Sequence, residues 1–314
     1  MQSVFGDTLQ QTLKAPVEFV GVGLHSGQPA RMVLRPSASG QGIWFRRRDV
    51  VGADALIPAR WDSVRQSPLC TRLENAAGVS VSTVEHVMAA LAGCGVHNAM
   101  IDIHGPEVPI LDGSAAEFVR GIMANGLRQG GQPVSAIEVL KPVEVCRGDA
   151  WARLEPAPVM QIDFHIDFED SAIGAQSKRL SMANGSFVRE LCDSRTFCRK
   201  ADVDAMRENG LALGGTYENA VVVDGARVLS PGGLRHRDEP VRHKMLDALG
   251  DLALAGAPLL ARYTGFRAGH AVTNDLLQVL FNTPGACRRV TCDARIAARL
   301  PGAGLRDSEI PAVA

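Results

Sequence analysis

An α+β chain in two domains is what this sequence predicts, on three observations. Its 314 residues suffice for two domains of about 100 to 200 residues each. Runs with strand character and segments with helical periodicity occur in both halves. Between them lies a Gly- and Gln-rich stretch at residues 126–133, the composition of a boundary. The expected division is 1–130 and 134–314.

The elements follow in order. Residues 17–34 read as strand, turn and strand: Val17-Glu18-Phe19-Val20, then Gly21-Val22-Gly23-Leu24-His25-Ser26-Gly27, then Arg31-Met32-Val33-Leu34. A dinucleotide fingerprint needs G-x-G-x-x-G opening into a helix; the glycine spacing and the strand that follows argue against it. Residues 42–45 form a further strand, with Arg46-Arg47-Arg48-Asp49 as its solvated end. A helix is expected over 83–92, because Val84, Val87, Met88 and Leu91 fall at i, i+3, i+4 and i+7 and Gly93 stops it. A strand at 98–103 and a helix at 114–124 complete the first half. The second half reads as strands at 136–145 and 159–168, helices at 186–191 and 203–209, and a strand at 220–225. A long helix starts at Pro240, a residue suited to a first turn, and runs to 255 with Val241, Met245, Ala248, Leu249 and Leu252 as its core face. After an extended 259–263, Gly265-Phe266-Arg267-Ala268-Gly269-His270 reads as a flexible turn. Both long helices carry V-x-H-x-M, 157 residues apart, half the chain length, which suggests a duplicated unit.

Composition excludes several classes. Hydrophobic content of 46% can fill the cores, and 33 Lys+Arg against 34 Asp+Glu leave a formal charge of -1, with no global attraction to nucleic acid or a membrane surface. The longest apolar candidate, 246–261, is interrupted by Asp251, Gly256 and Pro258, so no membrane span is expected. The start, Met1 to Asp7, lacks the basic and apolar parts of a secretory signal, which predicts a cytoplasmic chain. The ending Ile310-Pro311-Ala312-Val313-Ala314 reads as a frayed tail, with a degradation signal as the alternative. Seven cysteines, never spaced C-x-x-C, are expected as buried free thiols.

Chemistry concentrates on the two long helices. In Val241-Arg242-His243-Lys244-Met245-Leu246-Asp247 one helical turn puts His243 and Asp247 on one face, able to grip one cation. If His86 of Ser82-Thr83-Val84-Glu85-His86 meets them, the donors are two histidines and a carboxylate, which on zinc leave a fourth position open. Plainer readings stand beside this one. His86, opposite its helix's apolar stripe, reads on its own as a solvated histidine; Ser82-x-x-Glu85 reads as a capping box. His243, Asp247 and Asp251 read as ion pairs on an outer face with Arg242 and Lys244, and His270 as a loop histidine. Ala89 and Ala90 favour the first reading, since they leave that face bare for a close partner or a cleft. The protease patterns are absent: there is no H-E-x-x-H, and the inverted form needs histidine where Ser82 stands.

Six segments in order resemble one family: Gly21 to Gly27, Ser82 to His86, Pro109-Ile110-Leu111-Asp112-Gly113-Ser114-Ala115, Arg195-Thr196-Phe197, Val241 to Asp247, and Gly269-His270. The family is the zinc-dependent UDP-3-O-acyl-N-acetylglucosamine deacetylases of lipid A biosynthesis in Gram-negative bacteria, and the resemblance covers nearly the whole chain. It implies two related domains, each a layer of sheet against a layer of helices, with the site between them. It implies an insert near 198–224 that lines a passage for the acyl chain; Cys198 departs there from the small or apolar residue expected after R-T-F. It implies His86, His243 and Asp247 as zinc ligands, with iron(II) also suited to them. Glu85 is then the general base, Thr196 the donor to the oxyanion, His270 the general acid and Asp251 its orienting partner. Lys244, Phe197 and Phe168 are implied substrate contacts, while Leu24 and His25 sit at the cleft edge. The implied partner is a UDP-linked acylated amino sugar, met with peripheral contact at the inner membrane, no span and no required oligomer. Two rivals remain: a catalytically silent binder of such sugars, and a deacetylase of another N-acetyl sugar.

Overall fold

The structure is a computed structural model that describes residues 8–310, without the Asp307 side chain; residues 1–7 and 311–314, read above for a leader and a tail, lie outside it. In the first half a five-stranded sheet runs in the order Val17–Val22, Pro29–Pro36, Ala99–His104, Ile43–Arg47, Leu56–Pro58. It is antiparallel except where Ile43–Arg47 lies parallel to Ala99–His104. Strand periodicity turns Ala30, Met32 and Leu34 to one face, and all three are buried. Two helices, α1 (Glu85–Gly93) and α2 (Ala116–Asn125), pack on the first half, with Phe118 of α2 edge-on to Phe19 at 5.0 Å. A small meander, Val64–Arg65, Arg72–Glu74 and Ser80–Ser82, leads into α1.

In the second half a seven-stranded sheet is organised by Leu259–Phe266, which pairs antiparallel with Ala150–Pro156 and parallel with both Ser135–Val139 and Gln161–Asp167. The remaining α-helices are α3 (Ser186–Glu190), α4 (Lys200–Glu208), α5 (Glu239–Ala253), α6 (His270–Asn282) and the short α7 (Ala294–Ala297). Phe197–Arg199 and Val221–Asp224 are parallel with α4 between them, a βαβ unit over the segment where an insert was expected. No helix among the described residues is long and apolar enough to cross a membrane. The fold class is α+β, as the sequence predicts.

Several local expectations change. The stretch 126–133 is not a loose connection: Leu127–Pro133 is a strand paired with Leu9–Leu13. Residues 136–145 are two strands, Ser135–Val139 and Val143–Arg147, broken at Leu140-Lys141-Pro142 where the proline has no N–H to give a ladder. The first long helix begins at Glu85, two residues late, because Thr83 sits at φ 57 in the left-handed region. The capping box therefore does not form; Val84 is the N-cap and no side chain caps the helix. His270 is the first residue of α6, a helix not anticipated, and not a loop residue. The cysteines are all free, with Cys70, Cys94, Cys192 and Cys292 buried but Cys146 exposed.

One contact positions the site. α1 and α5 lie side by side in a core that includes Val87, Met88 and Leu91 of the first and Val241, Met245 and Leu249 of the second. Gly250 faces the backbone of α1 so closely that a β-carbon there would stand 2.0 Å from the Glu85 carbonyl oxygen. In an ordinary helix interior Gly→Ala is stabilising by about 1 kcal/mol. Here the sign reverses, because a backbone carbonyl cannot swing aside: Gly250→Ala is expected to lower unfolding free energy by about 1–3 kcal/mol, measured by denaturant titration.

Candidate metal centre

α1 is buried on all sides, so its polar residues are interior groups and not solvated ones: Glu85 is 3% and His86 4% exposed. The same holds for the polar side of α5, where His243, Asp247 and Asp251 step along one face and all three are buried. Outer-face ion pairs are thereby excluded. Packing of the two helices brings His86 and His243 together edge to face, ring centroids 5.0 Å apart.

His86, His243 and Asp247 form a group whose donor atoms all lie within 4.8 Å of one another. Asp247 Oδ1 is 3.6 Å from His86 Nε2 and 3.3 Å from His243 Nε2, and it is a buried oxygen with no hydrogen-bond partner. A buried carboxylate oxygen without a donor is costly, and two imidazole nitrogens facing it supply the set that a divalent cation takes. The residues present fit a metal ion. His243 Nδ1 lies 3.0 Å from the Ser194 carbonyl; a carbonyl only accepts, so Nδ1 carries the proton and Nε2 presents its lone pair. Burial lowers His243 to about 4 against the pull of Asp247, which keeps that lone pair free at neutral pH. Asp247 is held well below the usual carboxylate range: burial opposes its charge, but His243, Lys244 and His270 outweigh it. Lys244 donates to Asp247 Oδ2 at 2.7 Å, the oxygen turned away from His86 and His243, and its ammonium is held above its ordinary value, burial being outweighed by Asp247.

Beside this group stand Glu85 and His270. Glu85 Oε2 accepts the Thr71 backbone N–H at 3.1 Å, and Oε1 is 3.5 Å from His270 Nε2. Burial raises the Glu85 carboxyl, partly offset by His270 and His86. His270 Nδ1 is 2.8 Å from Asp251 Oδ2, and α5 and α6 hold the pair between them. Burial disfavours the imidazolium, yet Asp251, Glu85 and Asp247 outweigh it and raise His270 to about 9.

The other expected residues surround the group. Thr196 is fixed by its backbone, its N–H on the Gly113 carbonyl at 2.8 Å and its own carbonyl accepting from Val221 at 2.7 Å, two residues beyond the Ser194 carbonyl that orients His243. Phe197 stands edge-on to His243 at 6.3 Å, and Phe168 edge-on to Phe197 at 5.4 Å. Phe168, Lys244, Arg199 and Arg267 line a cavity of about 390 Å³. The Gly21 to Gly27 turn is tied down by Glu107, which accepts from the His25 N–H at 2.9 Å and the Ser26 N–H at 2.8 Å. Sequence reading missed Ser194, Glu107 and Thr71. Ser194 reaches the site by a backbone carbonyl that every residue type possesses, Thr71 by its backbone N–H and by a hydroxyl bonded to Asp251, 180 residues away, and Glu107 binds backbone N–H groups 81 and 82 residues away.

Comparison with known proteins identifies the family. The UDP-3-O-acyl N-acetylglycosamine deacetylase family profile matches residues 10–282. The chain is 49% identical over 279 residues to a UDP-3-O-acyl-N-acetylglucosamine deacetylase of Phenylobacterium zucineum, covering 89% of this chain and 95% of that protein. Proteins of the same name from Anaeromyxobacter sp. and Shewanella frigidimarina are 44% and 40% identical, over 93% and 94% of this chain and 95% and 98% of theirs. A match over most of both chains, joined to a buried His/His/Asp group, has one outcome: the chain belongs to the UDP-3-O-acyl-N-acetylglucosamine deacetylase family.

Proposed function

We propose that this chain hydrolyses the N-acetyl group of a UDP-linked 3-O-acyl-N-acetylglucosamine, releasing acetate and the free amine in lipid A biosynthesis, with zinc held by His86, His243 and Asp247. The observation that carries the reading is the orphaned Asp247 oxygen facing two imidazoles beside a carboxylate and a cationic histidine. Zinc, when bound, supplies Lewis acidity at the amide carbonyl and acidifies water; iron(II) suits the same donors.

The chain's own groups do the rest. Glu85 is the general base: a buried carboxylate whose proton affinity is raised, with one oxygen engaged by Thr71 and the other directed into the site. The Thr196 hydroxyl donates to the oxyanion as charge develops there. His270 is the general acid: Nδ1 is engaged by Asp251, so Nε2 gives its proton to the departing amine nitrogen. Lys244, Phe168 and Phe197 contact substrate. The cavity beside Phe168 is lined by Arg199, Lys244 and Arg267 together with Asp167, Glu169 and Asp202; its guanidinium and ammonium groups are the donors a diphosphate would use, and the aromatic ring suits a base. The βαβ unit lines the acyl passage, in a cytoplasmic enzyme of two domains, 1–130 and 134–314, that meets its amphiphilic substrate at the inner membrane and requires no oligomer.

Exhaustive chelation should abolish acetate release, and restoring zinc should recover it; metal analysis of His243→Ala should find the site largely empty. Full turnover by metal-free protein would falsify the reading. Glu85→Ala should cut kcat by about 10²–10⁴-fold while the bound metal remains, whereas a silent sugar binder would release no acetate even as wild type. Comparing turnover with and without the 3-O-acyl group separates this activity from deacetylation of other N-acetyl sugars.

His270 also sets a pH dependence. Its folded value, about 9, lies above the ordinary 6.5, so its charge stabilises the fold fully below 6.5 and that contribution is lost as pH rises through about 9. Acid catalysis follows the same direction. A bound dication lowers the value, so the alkaline limb of kcat is expected between the ordinary histidine value and about 9. An NMR titration of the metal-loaded protein showing His270 neutral below pH 6 removes it from this role.

A further inference from the structure

Thr71 uses every polar group it has on the catalytic apparatus. Its backbone N–H donates to Glu85 Oε2 at 3.1 Å, and its carbonyl accepts from the Val84 N–H, at the N-cap of α1, at 3.4 Å. Its hydroxyl donates to Asp251 Oδ1 at 2.5 Å. That assignment of the hydroxyl proton follows because Asn274 Nδ2 already donates to the same oxygen at 3.0 Å and a carboxylate oxygen accepts. Thr71 is 1% exposed, and the groups it joins come from α1, α5 and α6. It thus touches the carboxylate beside the metal group on one side and the carboxylate that holds His270 on the other.

The two oxygens of Asp251 are thereby divided. Oδ2 takes His270 Nδ1 at 2.8 Å, and Oδ1 takes the Thr71 hydroxyl. A carboxylate anchored through one oxygen alone can rotate about its terminal bond, since that torsion is broad. One anchored through both presents Oδ2 in a fixed direction, and the imidazole follows. Position 71 is itself held by the two backbone bonds to α1, so the distance between base and acid is set through one residue.

We propose that Thr71 is a positioning residue that fixes the Glu85 carboxylate and the Asp251–His270 pair relative to one another. This rests on the roles given to Glu85 and His270 above. The residue touches no substrate in this scheme; it acts through Asp251, so its loss should slow the chemical step and leave substrate binding intact. Valine has nearly threonine's shape and keeps the backbone bonds, but it leaves Asp251 Oδ1 without a donor.

The test compares metal-loaded wild type, Thr71→Val and Thr71→Ser. The valine variant is expected to keep its metal content, to hold KM within about twofold, and to lose about ten- to a hundredfold in kcat, the range for one charge-assisted hydrogen bond. Serine, which restores the hydroxyl, should recover kcat to within about threefold of wild type. A readout independent of turnover is the low-field proton resonance of His270 Nδ1–H, expected sharp in wild type and in the serine variant and broadened in the valine variant. If wild type releases no acetate, the functional reading fails while this resonance still decides the placement. Asn274→Ala, which frees the Thr71 hydroxyl to rotate, should broaden the same resonance and covers the case in which the valine variant does not fold. Unchanged kcat and an unchanged resonance in Thr71→Val overturn the proposal; so does equal loss in the valine and serine variants with the metal gone, which marks a purely structural role.

Discussion

The near-contact of α1 with α5 is the constraint on which the rest depends. Helices whose side chains interdigitate normally stand 8–10 Å apart, by the usual packing geometry. At Gly250 there is no side chain to interpose, and the Glu85 carbonyl oxygen occupies the space a β-carbon needs. Ala89 and Ala90, both fully buried, keep α1 slim just beyond His86. This puts a donor from the first half of the chain beside two from the second. It also removes water from all of them, so every charge in the neighbourhood has to be balanced by another side chain or by an ion.

That balance can be followed group by group. Asp247 and Asp251 are buried acceptors, and Glu85 joins them in its ionised form. Lys244 and the raised His270 answer part of this charge, while His243 stays neutral near pH 7. The Asp247 oxygen between the histidines receives nothing from the protein. A divalent cation at that point completes the electrostatics of the interior as well as the chemistry, which ties metal occupancy to local stability.

How much of this the sequence disclosed depended on whether a residue acts by its side-chain type and spacing. The i, i+4 placement of His243 and Asp247, the core face of α5 and the apolar positions of α1 were all legible, because helical periodicity is a property of the side chains themselves. The S-x-x-E pattern misled for the opposite reason: a capping box needs ordinary φ at the residue after the cap, and Thr83 is left-handed. Helix α6 was hidden by the turn composition of residues 265–269, although Val272, Leu276 and Leu280 recur at every fourth position and are buried. Strand Ala175–Ser181 escaped notice because it pairs on one side only and has no apolar alternation to show. Thr71 could not have been found, since two of its four hydrogen bonds are made by the peptide group and the other two join it to residues 180 and 203 positions away.

The βαβ unit over 197–224 raises a separate physical question, because α4 has no buried residue and cannot anchor the unit by packing. It is anchored instead by Val221 and Val223 of its second strand, which lie in the main core, and by a polar contact at the root of its first strand. Arg195 and Glu239 are a buried pair: Glu239 Oε1 accepts from the Arg195 backbone at 3.0 Å and from Nε at 2.9 Å, and Oε2 accepts from Nη2 at 3.1 Å and from the Arg235 backbone at 2.7 Å. A buried ion pair contributes little net stability when compared with an apolar pair, but it tolerates only one arrangement, and this carboxylate with four donors is fully satisfied. Glu239 opens α5, where a negative charge also suits the helix N-terminus. The same helix therefore carries two donors of the metal group and the residue that fixes Ser194 to Thr196, so the carbonyl that orients His243 and the strand leading into the βαβ unit share one rigid base.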